Sequence, residues 1–111
     1  MLRFKPDVRI AYFDPRIADV LRVASLWSLT VRIDVEINSM HDGAGVHLPT
    51  SLHAFDLAVD LDTVGDAPAD LDALAEYLRR ALDPQYDVVY EATHVHVEWD
   101  AHRGPLRKVV T

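Results

Sequence analysis

Apolar residues recur along the chain with two different periods. After Asp14-Pro15, the residues Ile17, Val20, Leu21, Ala24 and Trp27 follow at intervals of three and four. That spacing predicts an amphipathic helix, with Asp14 as its cap, Pro15 at its first position and Trp27 as a core anchor. Leu71, Leu74, Ala75, Leu78 and Leu82 repeat the pattern and predict a second helix from Pro68 to Leu82. Asp70 and Asp72 lie in its first turn and Arg79 and Arg80 near its last, as the helix dipole favours, and Asp83-Pro84 ends it. Elsewhere the period is two. From Thr30 to Asn38, Val31, Ile33, Val35 and Ile37 alternate with Arg32, Asp34, Glu36 and Asn38, which predicts a half-buried strand. Phe55, Leu57, Val59 and Leu61 predict a strand over 55–61, and residues 86–91 and 94–99 a hairpin. Asp42-Gly43, Gly45 and Pro49 mark 39–50 as a loop. Val8, Ile10 and Tyr12 make the first 13 residues a short edge strand or an extended lead-in.

This order of elements, with alternating rather than continuous apolar strands, predicts an α+β fold. Its sheet is antiparallel, of about four strands, with the two main helices on one face. At 111 residues the chain suits one domain, with its core over 14–100 and a basic tail over 101–111. It contains no cysteine, so a disulfide framework and a thiolate zinc site are both excluded. A net charge of -7, with basic residues scattered apart from Arg79-Arg80 and the stretch Arg103 to Lys108, argues against nucleic acid as a partner. That basic tail reads as a solvated terminus. No apolar run approaches the ~20 residues needed to span a bilayer. The opening Met1-Leu2-Arg3-Phe4-Lys5-Pro6-Asp7 lacks the apolar centre of a signal peptide, so a cytoplasmic location as synthesised is expected.

The polar faces of the strands carry the candidate chemistry. His94, His96, Glu98 and Asp100 share one face of the last strand, and Val95, Val97 and Trp99 take the other. Two histidines two apart on a strand project side by side, within reach of a common ion or substrate. His53 and Asp60 lie seven positions apart in the stretch Ser51 to Asp60. On a straight strand they would be roughly 23 Å apart and on opposite faces, so a shared metal requires a bend before the strand begins.

Ser51-x-His53-x-x-Asp56-x-Ala58-x-Asp60 resembles the SxHxxGxAxD signature of the D-Ala-D-Ala metallopeptidases, zinc enzymes that act on peptidoglycan. His94-Val95-His96 resembles the HxH motif of that family's murein endopeptidases and of the related hedgehog signalling domain. Asp42-Gly43 and His47 upstream, with Tyr90-Glu91 before the HxH, are similar to the hedgehog-type DG…H…SLH and YE…HIH segments. The C-terminal E-x-x-H-x-H-V-E-aromatic-D pattern resembles small phage and prophage proteins. The likeness covers about residues 30–100. It implies a hedgehog/DD-peptidase-like fold in which His53, Asp60 and His96 bind Zn2+ and leave a fourth position for water. It further implies Glu91 as general base, His94 as stabiliser of the oxyanion, Ser51 as a residue orienting His53 or the substrate, and His47 lining the cleft. The dipeptidase branch places its base three residues before the third ligand, and Glu91-x-x-His94 has that spacing as well. On that alignment His94 is the ligand, whereas HxH followed by Val97-Glu98 favours His96. His41 and His102 are expected at the surface.

Two departures qualify the likeness. Asp56 stands where the signature has glycine, a position that Asp tolerates better than most residues if it needs positive φ. Ser39-Met40-His41-Asp42 lacks the Arg that usually binds a substrate carboxylate, which favours an endopeptidase over a carboxypeptidase. The implied function is a zinc-dependent peptidase, endolysin-like and of phage or prophage type, that hydrolyses peptide bonds of peptidoglycan stem peptides or cross-links. Such an enzyme would reach the cell wall by a holin-like route or act on cytoplasmic precursors. The alternatives are a catalytically silent zinc-binding domain that binds a cell-wall peptide or a protein partner, and a metal-free phage accessory protein.

Overall fold

The computed structural model describes residues 1–8, 14–42, 57–65 and 67–99. In chain order they form β1 (Leu2–Phe4), α1 (Pro15–Val31), β2 (Val35–Asp42), β3 (Leu57–Thr63), α2 (Pro68–Ala81), β4 (Tyr86–Glu91) and β5 (His94–Trp99). The fold is α+β, as expected. The sheet differs from the expectation in strand number and in direction: among the described residues it has five strands in the order β1-β2-β3-β5-β4, and β1 runs parallel to β2. The reason is local. Parallel neighbours need a crossover, and α1 supplies it between β1 and β2. A strand of three residues is too short to show a period of its own. The remaining pairs are antiparallel.

Both helices bury the faces that their spacing predicts. Ile17, Val20, Leu21, Ala24 and Trp27 of α1 join Leu71, Leu74, Ala75 and Leu78 of α2 in one core, against Ile37, Leu61, Val95 and Val97 of the sheet. Among the described residues no helix is long and apolar enough to cross a membrane. The strand expected from Thr30 begins later. Val31, exposed, still belongs to α1, and Arg32 closes the helix in the left-handed conformation at φ 61°, its N–H donating to the Ser28 carbonyl at 2.8 Å. Val31 and Ile33 therefore alternate in sequence without sharing a strand. The same strand also continues to Asp42, into the expected loop, because a bulge between Ile37 and Ser39 shifts its register. After the bulge Met40 packs against the core. The third strand runs two residues beyond Leu61 to the buried Thr63. Of the expected lead-in, Ile10 and Tyr12 lie outside the described residues, as do Phe55 and the tail 101–111.

The start of α1 is tied to the far end of the sheet. Asp14, buried, accepts from the Arg16 backbone N–H at 2.8 Å and pairs with the Arg16 guanidinium through both oxygens at 2.7 and 2.6 Å. That guanidinium lies 4.3 Å from the Trp99 ring centroid, a cation–π contact with β5. The Tyr86 hydroxyl donates to the Arg16 carbonyl at 2.8 Å, and burial pushes its pKa up to about 12. The Arg16 side chain holds the Asp14 carboxyl below the usual range, despite its burial.

Replacing Asp14 by Ala removes the cap and the paired carboxylate that Arg16 contacts through both oxygens, for an expected loss of about 1–3 kcal/mol near pH 7. A group with a lowered folded pKa contributes stability above its unfolded value, about 3.9, and loses it as pH falls through the folded value. The gap between the denaturant midpoints of wild type and Asp14→Ala should therefore narrow in acid. A gap constant from pH 7 down to pH 2 would refute this account of the cap.

Candidate functional site

Alternation along the strands assigns their polar residues to the sheet face opposite the helices, and register then sets them side by side. On β5 the buried Val95 and Val97 occupy the core, so His94, His96 and Glu98 occupy the other face. Asp60 does the same on β3, between buried Val59 and Leu61. Pairing of β3 with β5 sets Asp60 opposite His96, and pairing of β2 with β3 sets Ser39 opposite Asp60. On the other side of β5, Val89 lies opposite His96, and Glu91 opposite His94 across the hairpin.

Asp60 is the hub of this cluster. Its Oδ1 lies 2.6 Å from His96 Nδ1 and 3.8 Å from His94 Nε2. Its Oδ2 accepts a hydrogen bond from the Ser39 hydroxyl at 2.8 Å. His94 Nε2 is also 3.8 Å from Glu91 Oε2, and His96 Nε2 is 3.7 Å from Glu98 Oε1. Carboxylates and imidazoles thus alternate in the order Glu91, His94, Asp60, His96, Glu98. The Thr93 hydroxyl in the hairpin turn is 3.2 Å from His94 Nδ1. Where that hydroxyl donates, the proton of a neutral His94 ring sits on Nε2, facing Asp60 and Glu91.

The electrostatics follow from the contacts. Burial pushes Asp60 up, but the hydrogen bonds from His96 and Ser39, with the positive charge of the histidines, outweigh it and hold the carboxyl below its ordinary value. Burial pushes His96 down, while the hydrogen bond and charge of Asp60, aided by Glu98, raise it above the ordinary imidazole value. Each stabilises the charged form of the other. Side-chain exposures of 28% for Asp60, 27% for His94 and 51% for Glu91 leave all three within reach of solvent.

Five of the residues singled out in the sequence therefore meet: Asp60, Glu91, His94, His96 and Glu98. Ser51, His47 and His53 lie outside the described residues, as do Asp56, Asp100 and His102. Among the described residues no group of three or more His, Asp or Glu is arranged to hold a metal ion. Asp60 and His96 nevertheless bring a carboxylate oxygen and an imidazole nitrogen to one point, the donor chemistry that zinc takes. Two donors to one tetrahedral zinc would stand roughly 3.3 Å apart, so this pair fits as two ligands once its hydrogen bond opens.

Ser39 and Thr93 escaped the sequence reading. Ser39 sits beyond the bulge, where strand alternation stops being readable, and a threonine in a hairpin turn carries no signal of its own. A cleft of about 370 Å³ between the end of α2 and β4, lined by Leu78, Arg79, Leu82 and Tyr86 among others, includes no residue of the histidine–carboxylate cluster. No protein-family model matches the chain, and no curated protein matches it either.

Proposed function

We propose that the chain is a zinc-dependent peptidase that hydrolyses peptide bonds of peptidoglycan stem peptides or cross-links, on a hedgehog/DD-peptidase-like fold. The observation that carries the reading is the meeting of Asp60 and His96 across neighbouring strands at 2.6 Å, with His94 and Glu91 beside them. These are the residues that the resemblance to the D-Ala-D-Ala metallopeptidases assigns to ligand, neighbour and base. His53, Asp60 and His96 would hold the metal. The direct contact of His96 with Asp60, against 3.8 Å for His94, supports His96 as the third ligand.

Bound zinc supplies Lewis acidity that lowers the pKa of a water and polarises the scissile carbonyl. The protein's own groups do the rest. Glu91, half-exposed at the end of β4, takes the proton of the attacking water and returns it to the leaving amine. His94 donates from Nε2 to the oxygen on which charge develops. Asp60 and His96, held on paired strands rather than on a loop, keep their donor atoms directed at one point.

Purified sacculi incubated with the protein, with and without a chelator, test the reading. Zinc-dependent release of muropeptides is the expected result. Stoichiometric zinc with no hydrolysis of any murein fragment would replace the peptidase with a zinc-binding domain. Protein purified without a His tag and free of zinc would point instead to a metal-free accessory protein.

A further inference from the structure

We infer that Ser39 is a positioning residue of the candidate zinc site, anchoring one oxygen of Asp60 so that the other is presented to His96 and to the metal. The inference rests on the zinc-peptidase reading above. Its starting point is the bulge in β2. Ile37 pairs with Leu61, so an unbroken register would set Asn38 opposite Asp60. The register instead shifts by one, and Ser39 takes that place. Bulges often re-aim a side chain in this way next to a functional site.

The consequence is a division of labour between the two oxygens of one carboxylate. Oδ2 accepts from Ser39 on β2, and Oδ1 faces His96 and His94 on β5. Asp60, on the strand between, is gripped from both sides. The two grips are not equivalent. The hydrogen bond to His96 joins the two atoms that would bind zinc, so it is given up when the metal enters. The hydrogen bond from Ser39 is on the far oxygen and is retained. Ser39 thus fixes the carboxylate plane in the bound state and disfavours a swing that would offer both oxygens to the metal. Outer hydrogen bonds of this kind commonly account for 10–100-fold in metal affinity.

The full chain, stripped of metal and titrated with zinc against a chromophoric chelator, tests this. Ser39→Ala should weaken zinc binding by about 10–100-fold, while Ser39→Thr, which keeps the hydroxyl, should bind within about threefold of wild type. Urea midpoints of the metal-free variants show whether each remains folded. Equal affinity in wild type and Ser39→Ala overturns the role of Ser39 and leaves the peptidase reading standing. Equal weakening in Ser39→Ala and Ser39→Thr also overturns it, because the loss would then follow from disturbing the strand. Wild-type protein that binds no zinc overturns both readings together.

Discussion

Glu91→Gln is expected to reduce muropeptide release by about 10²–10⁴-fold while zinc content stays at the wild-type level. The glutamine has the same size and keeps a polar group beside His94, but its amide cannot take a proton from water. Glu91 is not a metal ligand in this reading, so the loss should fall on kcat with KM little changed, the mark of an interaction made in the transition state. The position suits the role. Glu91 is the last residue of β4, directly opposite His94, with its carboxylate 51% exposed and 3.8 Å from the His94 ring. Glu98 is the control. Its carboxylate stands 3.7 Å from His96 Nε2 and is 43% exposed, so a general base on the other side of the cluster would be Glu98. Undiminished release in Glu91→Gln, with a collapse in Glu98→Gln, would transfer the role and refute the assignment made here.

Leu61→Ala should destabilise the metal-free protein by about 2–5 kcal/mol. Leu61 is fully buried and pairs with Ile37 on β2 and with Val95 on β5, both also fully buried. It therefore lies in the middle of the apolar row that the helices cover, where close packing leaves little room for neighbours to collapse into a cavity. Against a typical total of about 5–15 kcal/mol, the loss is a large fraction of the whole. Asp60, the preceding residue, lies on the opposite face and is 28% exposed, so Asp60→Ala should cost far less stability while removing a proposed zinc ligand. Urea denaturation of both variants, in chelator, measures the contrast. A loss below about 1 kcal/mol for Leu61→Ala would mean that the core is not centred on β3.

The contrast between those two neighbours shows what local sequence can reveal. A strand with one buried face repeats every two residues, so the division of β5 into Val95 and Val97 against His94 and His96 is readable without a structure. The hairpin, α2 and the apolar stripe of α1 were equally open to reading, because each is specified by residues close in sequence. Where a local pattern crossed an element boundary it misled. Val31 and Ile33 continued the alternation of β2 while Val31 belonged to α1, and the bulge disguised Ser39 as the start of a loop. Neither Arg32 in its left-handed cap nor Asn38 at the bulge announces itself by residue type. β1 was unreadable for a different reason, since three residues cannot display a period and its partner is supplied by a crossover.

For the candidate site the same division holds. Residue order by itself determined that imidazoles and carboxylates would share the polar faces of strands. Only the tertiary structure decided which of them touch. Asp60 and His96 are 36 positions apart, and Ser39 and Asp60 are 21 apart. Their contacts depend on the register between strands, and a shift of one residue turns every side chain to the other face. Register is chosen by the core on the far side of the sheet, where Ile37, Leu61 and Val95 must pack together. The chemistry on the polar face is therefore aligned by apolar residues that take no part in it.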